Sequence, residues 1–231
     1  MSEKFEATRT FARSMDRADA LNHFRKQFHI PQVKGKASIY LCGNSLGLQP
    51  RSTEKWLKEE LNDWARLGVE GHFHAKRPWL HYHQFSKKIL ARITGAKPTE
   101  VVAMNQLTVN LHLMMASFYQ PSATRYKIIT ERGAFSSDMY AVESQIKLHG
   151  FTPEEAWIEL QPRPGELTLR TDDIIEVIEQ HRDSLSLVLL GGVQYYTGQF
   201  FEIGKITQAV HEAGAFAGWD LAHAIGNVPL S

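Results

Sequence analysis

The 231-residue sequence has a single cysteine, Cys42, so an internal disulfide is excluded. It has no excess of either charge: 26 Lys and Arg stand against 25 Asp and Glu, for a net charge of +1. That balance leaves no electrostatic footprint for nucleic acid or an anionic membrane. No apolar run approaches the roughly 18 residues that a membrane helix needs. The longest, "LSLVLLGGV" (185–193), suits a buried strand. The opening "MSEKFEATRTFARSMDRADAL" is charged throughout and does not read as a secretory leader. Low-complexity tracts, repeats and flexible linkers are also lacking. Together these absences point to a globular chain in a reducing, cytoplasmic setting, with neither nucleic acid nor membrane as partner.

What is present is a composition of 43% hydrophobic residues, enough for a sizeable core. The spacing divides the chain into a mainly helical segment over 1–72 and an alternating strand–helix region over 73–231. In the first, Ser14 is positioned to cap a helix to about Phe28, and "ASIYLC" (37–42) is strand-like. Leu57, Leu61, Trp64 and Leu67 keep helical spacing. Pro78 is placed to open a further helix through Tyr82, Phe85, Ile89 and Ile93, with Gly95 as its stop.

From Val101 the period switches. "VVAMN", "RYKIIT", "AWIEL", "LSLVLLGGV" and "AFAGWDL" are predicted strands. Between them fall helices beginning near Gln106, Ser136, Thr171 and Ile203, with faces Met139–Val142–Ile146–His149, Ile174–Ile178–His181–Leu185 and Ile203–Ile206–Val210–Ala213. Thr171 reads as the cap of the third, followed by Asp172 and Asp173 at its positive end. Strict alternation predicts an α/β fold, a mostly parallel sheet flanked by helices.

Ligands of such sheets bind beyond the carboxyl ends of the strands. There the sequence places Leu107 and Thr108 at a helix start, an anion seat with an added hydroxyl. Phe135, Ser136, Ser137 and Asp138 open the next helix, and Asp220 and His223 follow the last strand. Singly, each has a structural reading as cap or core; their shared position at one sheet edge is what makes a site of them. A carboxylate there suits the protonated nitrogen of a phosphorylated pyridine cofactor.

Two rival motifs carry less. "GNSLG" (43–47) matches a G-x-S-x-G elbow, but Gly47 and Pro50 interrupt the helix that an elbow requires at its serine. "HFH" (72–74) and "HYH" (81–83) offer four histidines, yet no carboxylate or cysteine joins them at a metal-ligand spacing, so no metal is expected. "GGVQYYTG" (191–198) lacks the P-loop lysine.

The stretches "YLCGNSLGLQP" (40–50), "GHFHAKRPW" (71–79), "MNQLTVNLHLMM" (104–115), "RYKIITERGAFSSDMYAVESQIKLHG" (125–150), "GGVQYYTGQFFEI" (191–203) and "WDLAHAIGNVPL" (219–230) resemble the kynureninase family, pyridoxal-phosphate enzymes of aminotransferase fold type I. The resemblance implies the large domain of that fold, incomplete. It also implies a homodimer that hydrolyses L-kynurenine or its 3-hydroxy form to an anthranilate and L-alanine, in tryptophan catabolism and NAD biosynthesis. Leu107 and Thr108 would hold the cofactor phosphate, and Phe135 would stack on the ring, with Ser136, Ser137 and Asp138 completing that wall. Asp220 would pair with the ring nitrogen with His223 beside it, while Ser45 and His72 would meet the substrate. Gly191 departs from the small hydroxyl residue common at its position and is not counted as a ligand. The Schiff-base lysine of the family lies after the "DLAH" segment, beyond Ser231; Lys205 lies outside that motif. A 231-residue chain without that lysine is expected to be inactive. The alternatives are another fold type I enzyme, cysteine-desulfurase-like, or a non-catalytic fragment.

Overall fold

A computed structural model describes residues 5–230 and divides into two compact units, residues 1–82 and 83–231. In the first unit, helix α1 (Arg9–Ala18) starts where the Thr8 hydroxyl accepts the Phe11 N–H at 3.2 Å. Ser14 is therefore no cap: it lies inside α1 and donates its hydroxyl to the Phe11 carbonyl. A 3-10 turn at Asn22–Gln27 follows, rather than a continuous helix to Phe28. Strands β1 (Gln32–Val33) and β2 (Lys36–Ala37) form a small antiparallel hairpin around Lys34 and Gly35, both at positive φ. The strand expected over 37–42 is thus confined to Ala37, because the residues after it have no partner to pair with in the sheet.

Helix α2 (Thr53–Leu67) covers the stretch where Leu57, Leu61, Trp64 and Leu67 keep helical spacing, but Leu57, Leu61 and Trp64 are exposed. Its ties within the unit are polar. Buried Asp63 accepts the Lys76 N–H at 2.8 Å and Arg66 at 2.9 Å. Glu60 accepts the Trp79 indole N–H at 2.9 Å and the Arg77 Nε at 2.8 Å. Short helix α3 (Gly71–His74) starts at a glycine that Trp79 requires: a Cβ on Gly71 would lie 2.4 Å from its ring.

Pro78 is followed not by a regular helix but by a 3-10 stretch, Trp79–Gln84, kinked at His81. In the second unit, α4 (Lys87–Thr94) ends on Gly95 at φ 70°, the left-handed stop the sequence called for. Then come α5 (Leu107–Phe118), β3 (Lys127–Glu131), α6 (Ser136–Leu148), α7 (Pro153–Ala156), β4 (Trp157–Leu160), α8 (Thr171–Gln180), β5 (Leu185–Gly191), α9 (Ile203–Glu212) and β6 (Phe216–Asp220). The short α7 was not foreseen; Thr152 and Glu155 form its reciprocal capping box.

The sheet is four-stranded and wholly parallel, in the order β4-β3-β5-β6. The fifth strand expected, "VVAMN", is absent: residues 101–105 pair with nothing, Asn105 sits at φ 38°, and the segment leads unpaired into α5. Thr171 is the first helical residue of α8 and not its cap, which is Arg170; Leu185 belongs to β5.

Alternation along the strands sorts the core into two layers. Ile128, Leu187 and Leu189 pack with Met115, Val142 and Ile146 of α5 and α6. Ile129, Val188 and Leu190 pack with Ile174, Ile178, Ile206 and Val210 of α8 and α9. From β3 the chain goes to β4 on one side, then crosses to β5 on the other. The strand order therefore reverses between β3 and β5, where a crevice opens at the carboxyl ends.

Candidate active site

Glu131 ends β3 and Gly191 ends β5, so they face each other across this crevice. The Gly191 N–H donates to both oxygens of the Glu131 carboxyl, at 3.2 and 3.3 Å. Glu131 is 4% exposed, and burial pushes its carboxyl above the usual range, with Asp220 adding repulsion.

Asp138 sits in the first turn of α6 and is 6% exposed. A helix start favours a charged carboxylate by about 1 kcal/mol, and the Ser137 hydroxyl donates to Asp138 Oδ1 at 3.2 Å. Both effects are outweighed. Burial, then a hydrogen bond and repulsion from Asp220, raise Asp138 from 3.8 to about 7. Asp138 is therefore an acid that keeps its proton to near neutral pH, next to the Asp220 carboxyl.

Asp220 ends β6, and its Oδ1 accepts the Ala222 N–H at 2.8 Å. The capping reading of this residue and its place in a polar cluster are therefore both true. The Gly192 N–H holds the Asp220 carbonyl at 2.7 Å. The turn packs closely on Gly192: a Cβ there would meet Leu221 Cδ2 at 2.7 Å and Ala224 Cβ at 3.1 Å. This close approach presses the turn carrying His223 against the end of β5.

Above the carboxyls stands a set of rings. Phe135, at the cap position of α6, lies 5.2 Å from Tyr195 and 6.1 Å from His223 between centroids, and Tyr195 lies 5.9 Å from His223. Ser136 is exposed and Ser137 half-buried beside them.

Leu107 and Thr108 begin α5, whose cap residue Gln106 makes no side-chain capping bond, and both are exposed. At the other end of α5, Phe118 packs edge-on against Phe216, the first residue of β6, at 5.4 Å. The helix thus runs back along the sheet. Its twelve residues span about 17 Å at 1.5 Å each, comparable to the rise of β6, so the open start of α5 lies toward the carboxyl edge that holds Asp220. The carboxyl ends of β3, β5 and β6 thus bring the rings of Phe135, Tyr195 and His223 together with the carboxyls of Glu131, Asp138 and Asp220.

Ser45 and His72 belong to the first unit, and both are exposed. Ser45 lies in a turn, its N–H donating to the Cys42 carbonyl at 3.0 Å, and the next helix starts only at Thr53. No nucleophile elbow is built there. His72 packs edge-on against Trp79 at 5.5 Å. Lys205 pairs with Glu202 on α9. Among the described residues, no three His, Cys, Asp or Glu side chains converge in a way that can hold a metal ion. Sequence reasoning missed Glu131, Gln194 and Tyr195. The signal for Glu131 was a charged residue closing an apolar strand; for the other two it was their place after β5, in a stretch that resembles the family but was given no site role.

No protein-family model matches the chain. Its sequence is similar to curated kynureninases over nearly its whole length. It is 56% identical to that of Myxococcus xanthus over 228 residues, covering 98% of this chain and 54% of the relative. It is 54% identical to that of Flavobacterium johnsoniae, covering 98% and 53%, and 48% identical to that of Dictyostelium discoideum, covering 95% and 52%. The chain spans about half the length of the curated relatives it matches. Among solved structures, a C-DES mutant with glycine covalently linked to its PLP cofactor superposes with a TM-score of 0.61 at 15% identity, over 81% of this chain and 48% of that one. The apo cysteine desulfurase of Thermococcus onnurineus superposes with a TM-score of 0.56 at 18% identity, over 79% and 44%. The α/β fold expected from the sequence is thus the one shared with fold type I enzymes.

Proposed function

We propose that this chain is the cofactor-cradling part of a kynureninase, a cytoplasmic homodimer that binds pyridoxal 5'-phosphate. The reaction is hydrolysis of the Cβ–Cγ bond of L-kynurenine or 3-hydroxykynurenine, giving anthranilate or 3-hydroxyanthranilate and L-alanine. In this reading the lysine that carries the cofactor is supplied by a segment outside the 231 residues, and the chain alone is inactive. Sequence identities of 48–56% to kynureninases, against 15–18% to the desulfurase-type structures, favour this reading over a sulfur-transfer enzyme. Among the described residues, no helix is long and apolar enough to cross a membrane.

The observation that carries the proposal is the carboxyl pair at the switch point. Asp138 is buried and raised to about 7, by burial first, then by Asp220, with Glu131 adding repulsion and the Ser137 hydroxyl opposing. Two adjacent carboxyls, Asp138 buried and Asp220 half-buried, form a setting that a pyridinium N–H would satisfy. The residues present therefore fit the cofactor. Leu107 and Thr108 would hold its phosphate at the start of α5, and Phe135 would stack on the ring, with Ser136, Ser137 and Asp138 completing that wall; Asp220 would pair with the ring nitrogen and His223 would lie beside it. Bound pyridoxal phosphate supplies an electron sink for charge that develops at the substrate's α-carbon. Asp220 keeps that sink strong by holding the proton on the ring nitrogen, and the low dielectric around Glu131 and Asp138 strengthens the ion pair. The sequence resemblance gives Ser45 and His72 to the substrate.

The full-length protein carrying this segment, loaded with pyridoxal phosphate, is expected to release anthranilate from L-kynurenine. Release of sulfur from cysteine without anthranilate would favour the desulfurase reading. Anthranilate production by the 231-residue chain alone would refute the external lysine.

A further inference from the structure

Residues 192–201 leave the sheet after β5 and return as a small closed excursion. Val193 bridges Phe200, and the Phe201 N–H donates to the Gly192 carbonyl at 3.1 Å. At its base, Gln194 is buried, 8% exposed, and its whole amide is engaged. Its Oε1 accepts the backbone N–H groups of Tyr196 and Thr197, each at 2.7 Å, and the Thr197 hydroxyl at 3.2 Å. Its Nε2 donates to the Gly133 carbonyl at 3.0 Å. Gln199 makes a second tie, accepting the Leu169 N–H at 2.9 Å and donating back to the Leu169 carbonyl at 2.6 Å.

Gly133 belongs to the loop that carries Phe135, so Gln194 joins the loop after β5 to the loop after β3 across the switch point. What this join fixes in place is Tyr195, whose ring meets Phe135 at 81°, edge to face. We propose that Gln194 and Tyr195 are positioning residues for the aromatic wall: Gln194 holds Tyr195 against Phe135 and His223, and so sets the plane that Phe135 presents to a flat ring. This deepens the reading of the crevice as a cofactor seat and rests on it. Phe135 is 41% exposed, so its ring angle depends on the edge contact that Tyr195 supplies. Because Gln194 is buried, water does not readily replace the four bonds its amide makes.

The test uses the full-length protein with pyridoxal phosphate and reads the visible circular dichroism of the cofactor, which reports ring orientation, together with steady-state kinetics. Tyr195→Ala is expected to lower the visible ellipticity by roughly half and kcat by about tenfold with KM little changed, as for a misoriented reactant. Tyr195→Phe keeps the ring and is expected to keep the ellipticity. Gln194→Leu is expected to reproduce Tyr195→Ala. Tyr195→Ala leaves the backbone bonds of Gln194 intact, so it tests the wall even where Gln194→Leu does not fold. Native ellipticity in Tyr195→Ala overturns the inference. Phe135→Ala and Asp220→Asn separate the two levels. A response from both with none from Tyr195→Ala removes this inference alone, whereas silence from both removes the cofactor seat and the inference with it.

Discussion

Replacing Asp138 by asparagine isolates the energy stored in the carboxyl pair. Asp138 is held at about 7 in the folded chain against an ordinary 3.8. At about 1.4 kcal/mol per pKa unit, the charged form is penalised by roughly 4 kcal/mol. The sign follows from proton counts. Below about pH 4 both folded and unfolded chains hold the proton, and the group contributes nothing. Between about pH 4 and 7 the folded chain keeps a proton that the unfolded chain has released, so stability falls as pH rises. Above 7 the penalty is complete. An asparagine in place of Asp138 would keep the shape and the acceptor for Ser137, and would offer Asp220 an amide donor without ever ionising. Asp138→Asn in the cofactor-free full-length protein is thus expected to match the wild type near pH 4 and to exceed it by up to roughly 4 kcal/mol at pH 8. Urea midpoints at half-unit steps from pH 4.5 to 8.5 measure this. Glu131 is raised as well and adds repulsion to Asp138, so the difference includes the loss of that repulsion. Parallel pH profiles for variant and wild type would refute the raised Asp138. With saturating cofactor the gap at pH 8 should narrow, because a ring N–H gives the ionised pair a cation.

Asp220→Ala in the cofactor-loaded full-length enzyme should lose most of its turnover, and near-normal kcat for anthranilate release would sink the ring-nitrogen role. Gly192→Ala forces a Cβ against Leu221 and Ala224; such overpacking costs about 1–3 kcal/mol, visible as a lower denaturant midpoint at constant slope. An unchanged midpoint would mean that the turn at 221–224 yields freely. Trp157→Phe strips the 2.9 Å indole bond from the Thr130 hydroxyl, whose residue is 2% exposed. The expected loss is about 1–2 kcal/mol, and Trp157→Phe combined with Thr130→Val should recover part of it.

The fold was legible where a single element settles its own environment. Helices α6, α8 and α9 bury the Val142–Ile146, Ile174–Ile178 and Ile206–Val210 pairs that a 3.6-residue period picks out. β5 buries its apolar run on both sides, as a central parallel strand must. Legibility failed where pairing decides. "VVAMN" has strand composition, yet strandhood needs a neighbour, and composition cannot report that 101–105 has none. The apolar stripe of α2 marks the right helix, yet Leu57, Leu61 and Trp64 are exposed along it, and its bonds within the first unit run through Asp63 and Glu60.

The site divides along the same line. Asp220 and Phe135 were found by position, because the ends of parallel strands converge whatever the side chains there. Their chemistry depends on depth, which position does not give. Asp138 reads in sequence as an ordinary acid at a helix start, where the dipole should favour its charge. Folding buries it beside Asp220 and reverses that preference. Glu131 shows the same reversal one strand away: a charged residue closing an apolar strand reads as the point where the chain meets solvent, yet its carboxyl turns inward to the Gly191 N–H. Three acids around one crevice would repel one another at neutral pH unless protons or a cation intervened. A cation placed between them would offset that repulsion, so the acids that close these strands bear on what the crevice would hold.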